Sequence, residues 1–202
     1  VQLFVDGGGF MWPILFIFII GFVFVGERLY HLVKGLTSNE EFAMDVASTL
    51  ESSGTKAAKE LCEQSMGPVA NLCGSALEKA DQGTEAVEKT LDQAGAIEMA
   101  SMEKNMTWIS LCIATAPMLG FLGTVWGMIQ AFNDIKMAND ISPAVVAGGI
   151  SVALLTTAFG LVVAVVLQIF QNAVLYIIDN QIVTLQKSTT SLLHAIKDSA
   201  RK

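Results

Sequence analysis

Three stretches of the chain carry no Asp, Glu, Lys, Arg or His: Gly7–Gly26, Asn105–Asn133 and Ile141–Ile178. A membrane-spanning helix needs roughly 20 consecutive apolar residues, so each stretch is long enough to be one. Between the first two the pattern becomes amphipathic. Phe42, Val46 and Leu50 recur at a spacing of four, Gly54 interrupts them, Ala57 and Leu61 open a second run, and "SMGP" at 65–68 closes it. Leu72–Ala80 forms a third run, and "DQG" at 81–83 turns the chain. From Thr84 onward, Val87, Leu91 and Ala94 share a face that leads into the second apolar stretch with no breaker before Pro117. An unbroken helix over Thr84–Phe132 would extend about 75 Å. The third stretch opens on Ser142, a good N-cap, and Pro143, suited to the first helical position. Its charge-free run measures about 57 Å as a helix. Ile182, Leu185, Leu192 and Ile196 extend an apolar face beyond it, so this helix is expected to continue out of the membrane.

The pattern predicts an all-α membrane protein with three transmembrane helices, the second and third extended into a helical cytosolic part. No strand-like alternation and no internal repeat stands out. The expected divisions are an N-terminal segment over 1–9, a first span over 10–28, a helical region over 29–106, a second span over 107–133, a short loop over 134–142, a third span over 143–178 and a C-terminal helix over 179–202. Trp12 and Tyr30 stand near the two ends of the first span, as interfacial aromatics do, and Pro13 falls in its first turn.

Composition agrees with this reading: 52% of the 202 residues are hydrophobic and the mean hydropathy is +0.54. The net charge of −7 matters less than its placement. Of twelve Lys and Arg, seven fall in Arg28–Lys104, four in Lys187–Lys202, and only Lys136 lies elsewhere. The positive-inside rule then puts 29–106 and the C-terminus in the cytosol, and the N-terminus and the 134–142 loop outside. The cytosolic part mixes both signs, so no nucleic-acid partner is expected. The first residue is Val1, which predicts a natural start further upstream.

Catalysis finds little support. His31 and His194 are the only histidines and neither lies in a span; "GGISV" at 148–152 has no base within reach, and there is no P-loop. Cys62, Cys73 and Cys112 have no metal-ligand spacing and read as reduced packing thiols. No enzyme, metal or cofactor is expected.

The informative feature is a face unsuited to lipid. Ala116, Gly120, Gly123, Gly127 and Ala131 share one side of the second span, with Thr124 beside them. Ala153, Thr157, Gly160, Ala164, Gln168 and Gln171 do the same in the third. Small stripes let helix backbones approach, and polar members can hydrogen-bond across the contact. Tight packing inside one subunit is one reading of these stripes. An interface, or a cavity holding water or another chain, is the other, since Gln168 and Gln171 would be costly against lipid. Neither span holds an ionisable group of the kind that ion carriers usually place there. If the protein conducts ions, a partner must bring the charge, with Thr124 and Thr157 lining the path. A passive scaffold for other membrane proteins is the competing function.

At these residues the chain resembles the ExbB/TolQ/MotA proton-channel family, and most closely its ExbB and TolQ branch. "APMLGFLGTVWGMIQAF" at 116–132 is similar to that branch's second span, and "ISPAVVAGGISVALLTTAFGLVVAVVLQIFQN" at 141–172 to its third. "GERLYHL" at 26–32 and "LDQAGAIEMASMEKNMTWISLCIATAP" at 91–117 resemble the flanking segments. The resemblance implies a homopentameric ring in the bacterial inner membrane, surrounded by lipid. That ring would enclose the single spans of ExbD or TolR-like subunits, which carry a proton-binding Asp. It implies proton-driven motion passed to a TonB- or TolA-like protein for work at the outer membrane, such as uptake. It puts the family threonines on Thr124 and Thr157, turns the glycine face toward a neighbouring copy, and implies three spans where MotA-type stators have four. Some members carry a glutamate early in the third span, where this sequence has Val152.

Overall fold

In a computed structural model, residues 2–35, 40–138 and 143–199 are described, and all regular structure among them is helical. A short helix α1 (Gln2–Asp6) leads through Gly7–Gly9 into α2 (Met11–Gly35). Gly8 takes a positive φ of 72° in that turn, a conformation that suits glycine. Then follow α3 (Glu40–Gln64), α4 (Pro68–Leu77), a 3₁₀ turn (Ala80–Gln82), α5 (Thr84–Met102), α6 (Met106–Ala138) and α7 (Pro143–Ser199). Among the described residues three helices are long and apolar enough to cross a membrane. The all-α, three-span expectation therefore holds. Pro143 opens α7 as expected, while the N-cap assigned to Ser142 lies outside the described residues.

The chain divides into two units, Val1–Arg28 with Asn105–Val174, and Leu29–Lys104 with Leu175–Lys202. In the first, the spanning unit, α2, α6 and α7 converge at Gly21. A Cβ there would lie 2.7 Å from Leu167 Cδ1 and 3.3 Å from Cys112 Cβ. Ile14, Cys112, Ala116, Val163 and Leu167 form the buried cluster around it. Trp12, Phe16, Ile19, Phe121, Leu122, Leu154 and Val165 point outward, as a lipid-facing surface requires.

The second unit resembles a water-soluble helical bundle. α4 packs on α3 and α5. Val46, Leu50, Leu72, Val87, Leu91, Leu185 and Leu192 are buried. Gly54 kinks α3 as the sequence predicts, with φ 83° and ψ 177°. Cys62 and Cys73 are free and buried. The Cys73 thiol hydrogen-bonds Cys62 and lowers its pKa, while the same bond, with burial, pushes Cys73 up. Gln181 is buried and donates Nε2 to the Leu32 carbonyl at 2.9 Å, tying α7 to the end of α2.

One expectation is corrected. The helix does not run unbroken from Thr84 to Pro117; it stops at Met102 and resumes at Met106. Asn105 takes a left-handed φ of 66° in the break, which asparagine tolerates better than most residues. Its side-chain amide donates to Glu27 Oε2 at 2.9 Å, and Glu27 also takes Arg28 at 2.5 Å. Pro117, by contrast, lies inside α6 without ending it, as spanning helices allow.

Candidate functional site

The small residues of the second and third spans meet each other. A Cβ on Gly160 would lie 2.6 Å from the Ala116 carbonyl and 3.2 Å from Gly120 Cα. One on Gly120 would lie 2.9 Å from the Thr156 carbonyl, and one on Gly127 3.2 Å from Ala153. Gly149 closes against Ala131 in the same way. α6 and α7 therefore touch backbone to backbone along most of the stripe, with no room for a side chain. This corrects the expectation that the glycine face packs against a neighbouring copy: α7 of the same chain already fills it. Of the two readings left open for the stripe, packing inside one subunit describes the glycines.

The hydroxyls behave differently. Thr124 and Thr157 meet at the edge of this seam, half-buried, with Oγ1 in hydrogen-bond contact with Oγ1. Thr157 Oγ1 also lies 3.1 Å from the Gly120 carbonyl, and Thr124 Oγ1 3.2 Å from Gly120 and 3.3 Å from Ala153 carbonyl oxygens. Each hydroxyl has one proton and two lone pairs. For the contact between them to be bonding, one must donate to the other, and the second then donates to a carbonyl. The chain can run either way, from Thr124 through Thr157 to Gly120, or from Thr157 through Thr124 to Ala153 or Gly120. Both protons are committed in each case, and lone pairs remain open. The pair as folded accepts from an incoming donor; to donate, one hydroxyl must release a carbonyl.

Ala153 and Ala164 are buried, and Gln168 and Gln171 part company. Gln171 is only 7% exposed and donates Nε2 to Ser110 Oγ at 2.6 Å, bridging α7 to α6. Gln168 is exposed and reaches Asn172 Oδ1 at 3.2 Å and Gln171 Oε1 at 3.4 Å.

Sequence reading missed Thr156, which is 1% exposed and donates to the Ala153 carbonyl at 2.8 Å. It presses on Gly123, where a Cβ would fall 2.6 Å from its Oγ1. The signal was present: Thr156 stands three residues from Ala153 and four from Gly160, on the same face. Ser110 and Asn105 were missed because a lone Ser or Asn at a span's end has many roles. Val152 lines a cleft of about 430 Å³ with Gly7–Gly9, Trp126, Gln130 and Thr156. Among the described residues no cluster of three His, Cys, Asp or Glu could hold a metal ion.

Residues 56–187 match the MotA/TolQ/ExbB proton channel family. The chain belongs to this family. The matched segment covers both threonines, both small stripes and the amide cluster, and leaves out α1 and α2. Over 199 residues, 97% of this chain and 71% of the relative, the sequence is 30% identical to a putative biopolymer transport protein ExbB homolog of Methanothermobacter thermautotrophicus. It is 29% identical over 166 residues to an ExbB-like protein of Synechocystis sp., covering 80% of this chain and 65% of that protein. A biopolymer transport protein ExbB of Xanthomonas campestris pv. campestris is 40% identical over 82 residues, 41% of this chain and 32% of that protein. With three spanning helices and this family membership, the chain is a multi-pass membrane protein of channel type.

Proposed function

We infer that this chain is the ring-forming subunit of a proton-driven motor in the bacterial inner membrane, working in an ExbB- or TolQ-like way. A homopentamer encloses single-span partner helices that carry an Asp, as ExbD or TolR-like subunits do. A TonB- or TolA-like protein carries the motion to the outer membrane, where it serves uptake. The observation that carries this reading is the Thr124–Thr157 pair. It is a two-hydroxyl hydrogen-bond chain at the edge of a seam whose spans lack Asp, Glu, Lys, Arg and His. Neutral hydroxyls order water and bond a carboxyl group, but they do not hold a proton near neutral pH. The pair accepts from a protonated carboxyl as it stands. Once that carboxyl has lost its proton, one hydroxyl turns to donate to it.

The deciding experiment is reconstitution with a partner and Thr157→Val. The expected result is an unchanged complex mass, little proton flux without the partner, and about a 5- to 150-fold loss of partner-dependent flux in the variant, since an unsatisfied buried group costs about 1–3 kcal/mol. Thr157→Ser is expected to keep most of the flux. Near-normal flux in Thr157→Val would remove the hydroxyl from the path. Absence of flux from the parent with every partner tried would favour a passive scaffold. The orientation, with the N-terminus periplasmic and the C-terminus cytosolic, rests on eleven of twelve basic residues falling in 28–104 and 187–202. Impermeant labelling of intact cells is expected to reach a cysteine at exposed Asp134 and to spare one at exposed Gln186; the reverse pattern inverts the topology.

A further inference from the structure

Gln168 and Asn172 are exposed amides inside a run without charges, on a helix that the bilayer surrounds. Amides facing hydrocarbon lose their hydrogen bonds to water without replacement. Gln171 covers only a part of this need: its Oε1 accepts from Gln168 Nε2 at 3.4 Å, while its own amide N–H is turned inward to Ser110. Gln168 Nε2 also lies 3.2 Å from Asn172 Oδ1, and both residues are exposed.

The direction they face is not random. Gln168 follows Thr157 by eleven residues, about three helical turns, so the two lie on nearly the same line along α7. Leu161, half-exposed, stands between them. The Ser110 bridge also sets the depth. Ser110 lies five residues beyond Asn105, where Glu27 and Arg28 mark the charged end of the spans, and Gln168 lies a turn deeper than Gln171.

We propose that Gln168 and Asn172, held by the Gln171–Ser110 bridge, line a water-filled vestibule that enters the spans from the Asn105 end. It delivers water or a hydrated cation toward Thr157, with Leu161 as the dry step before the threonine pair. The role in ion passage rests on the function inferred above; the water does not. The other reading of these amides is that they sit at headgroup level on a lipid-facing surface. Ile169 discriminates, since it is 62% exposed, one residue away in depth and on another face.

The test is cysteine accessibility in unsealed membrane fragments that hold the assembled protein. The parent's three cysteines are buried and set the background. Gln168→Cys and Asn172→Cys are expected to react with a charged methanethiosulfonate at least about tenfold faster than Ile169→Cys, because the thiolate forms in water and not in hydrocarbon. Equal rates at Gln168→Cys and Ile169→Cys, slow or fast, overturn the vestibule. A second arm measures partner-dependent flux. Gln168→Leu is expected to lower it severalfold while Gln168→Asn keeps it; parental flux in Gln168→Leu overturns the role in passage. If the parent carries no flux, the inferred function falls and the labelling still decides whether water reaches Gln168.

Discussion

Where α6 meets α7, glycine stands against backbone; where α4 meets α5, Leu72 stands against the helix that carries Leu91, and glycine is incidental. A Cβ on Gly160 would strike the Ala116 carbonyl at 2.6 Å, whereas one on Gly95 would meet only Leu72 Cδ1, at 3.7 Å. The difference follows from the solvent. Lipid tails are as apolar as leucine, so helices in a bilayer gain little by burying large side chains and rely on close approach and hydrogen bonds. In water the gain scales with apolar area removed, at roughly 25 cal/mol per Å², and large residues do that best. One chain uses both solutions in two units.

The comparison breaks most sharply at Leu72, which is fully buried in the second unit. Leu72→Ala is expected to cost about 2–5 kcal/mol, the range for a buried leucine that leaves a cavity. Limited proteolysis should then cut within 40–102 at protease levels that spare the parent. Unchanged resistance would mean that this unit does not depend on area burial.

Next in size is Gly160→Ala. The added methyl meets backbone, which cannot rotate away, so α6 and α7 must part. The expected cost is about 1–3 kcal/mol, as for overpacked cores. Parting also stretches the Thr157 contacts with Thr124 and Gly120, so ion-driven activity should fall with stability. Gly148→Ala is the control, because nothing lies within 4 Å of its Cβ position. The thermal midpoint in detergent is the readout; equal midpoints for both variants would refute a seam closed on glycine.

Ser110→Ala probes the hydrogen-bond half of the same solution. It leaves Gln171 Nε2 buried without its acceptor. Interhelical bonds in membranes average about 0.6 kcal/mol and reach about 1.7, so a loss near 1 kcal/mol is expected. Ser110→Thr should recover most of it. An unchanged midpoint in Ser110→Ala would show that Gln171 is held by packing alone.

The two units also differ in how readily the sequence gives them up. Periodicity in the second unit found Val46, Leu50, Val87 and Leu91, because alternating polar residues mark a water-facing side. In the spans both faces are apolar, so only size and hydroxyls carry information. Size located the stripe and put Thr124 and Thr157 on it. It left undecided whether the stripe serves the same chain or another, since close approach looks alike in both. The break at Glu103–Asn105 was invisible because it rests on a left-handed turn at Asn105 and a bond from its side chain to Glu27, and that partner lies far away in sequence. Pro117 misled in the opposite direction: a residue that breaks helices in water is accommodated within a span.

The smallest effect is the cleanest test of the comparison, because it carries the opposite sign. Gly95 lies inside α5, away from any left-handed turn. Glycine in a helix interior costs about 0.8–1 kcal/mol relative to alanine. The new methyl would make an ordinary van der Waals contact with Leu72 at 3.7 Å. Gly95→Ala should therefore stabilise the second unit by about 0.5–1 kcal/mol, while the same exchange at Gly160 destabilises the spanning unit. Both variants can be measured side by side, by proteolysis rate for the first and detergent midpoint for the second. If Gly95→Ala weakens its unit, the seam between α4 and α5 is as close-fitted as that between α6 and α7. The contrast would then lie in residue size alone and not in what each solvent demands.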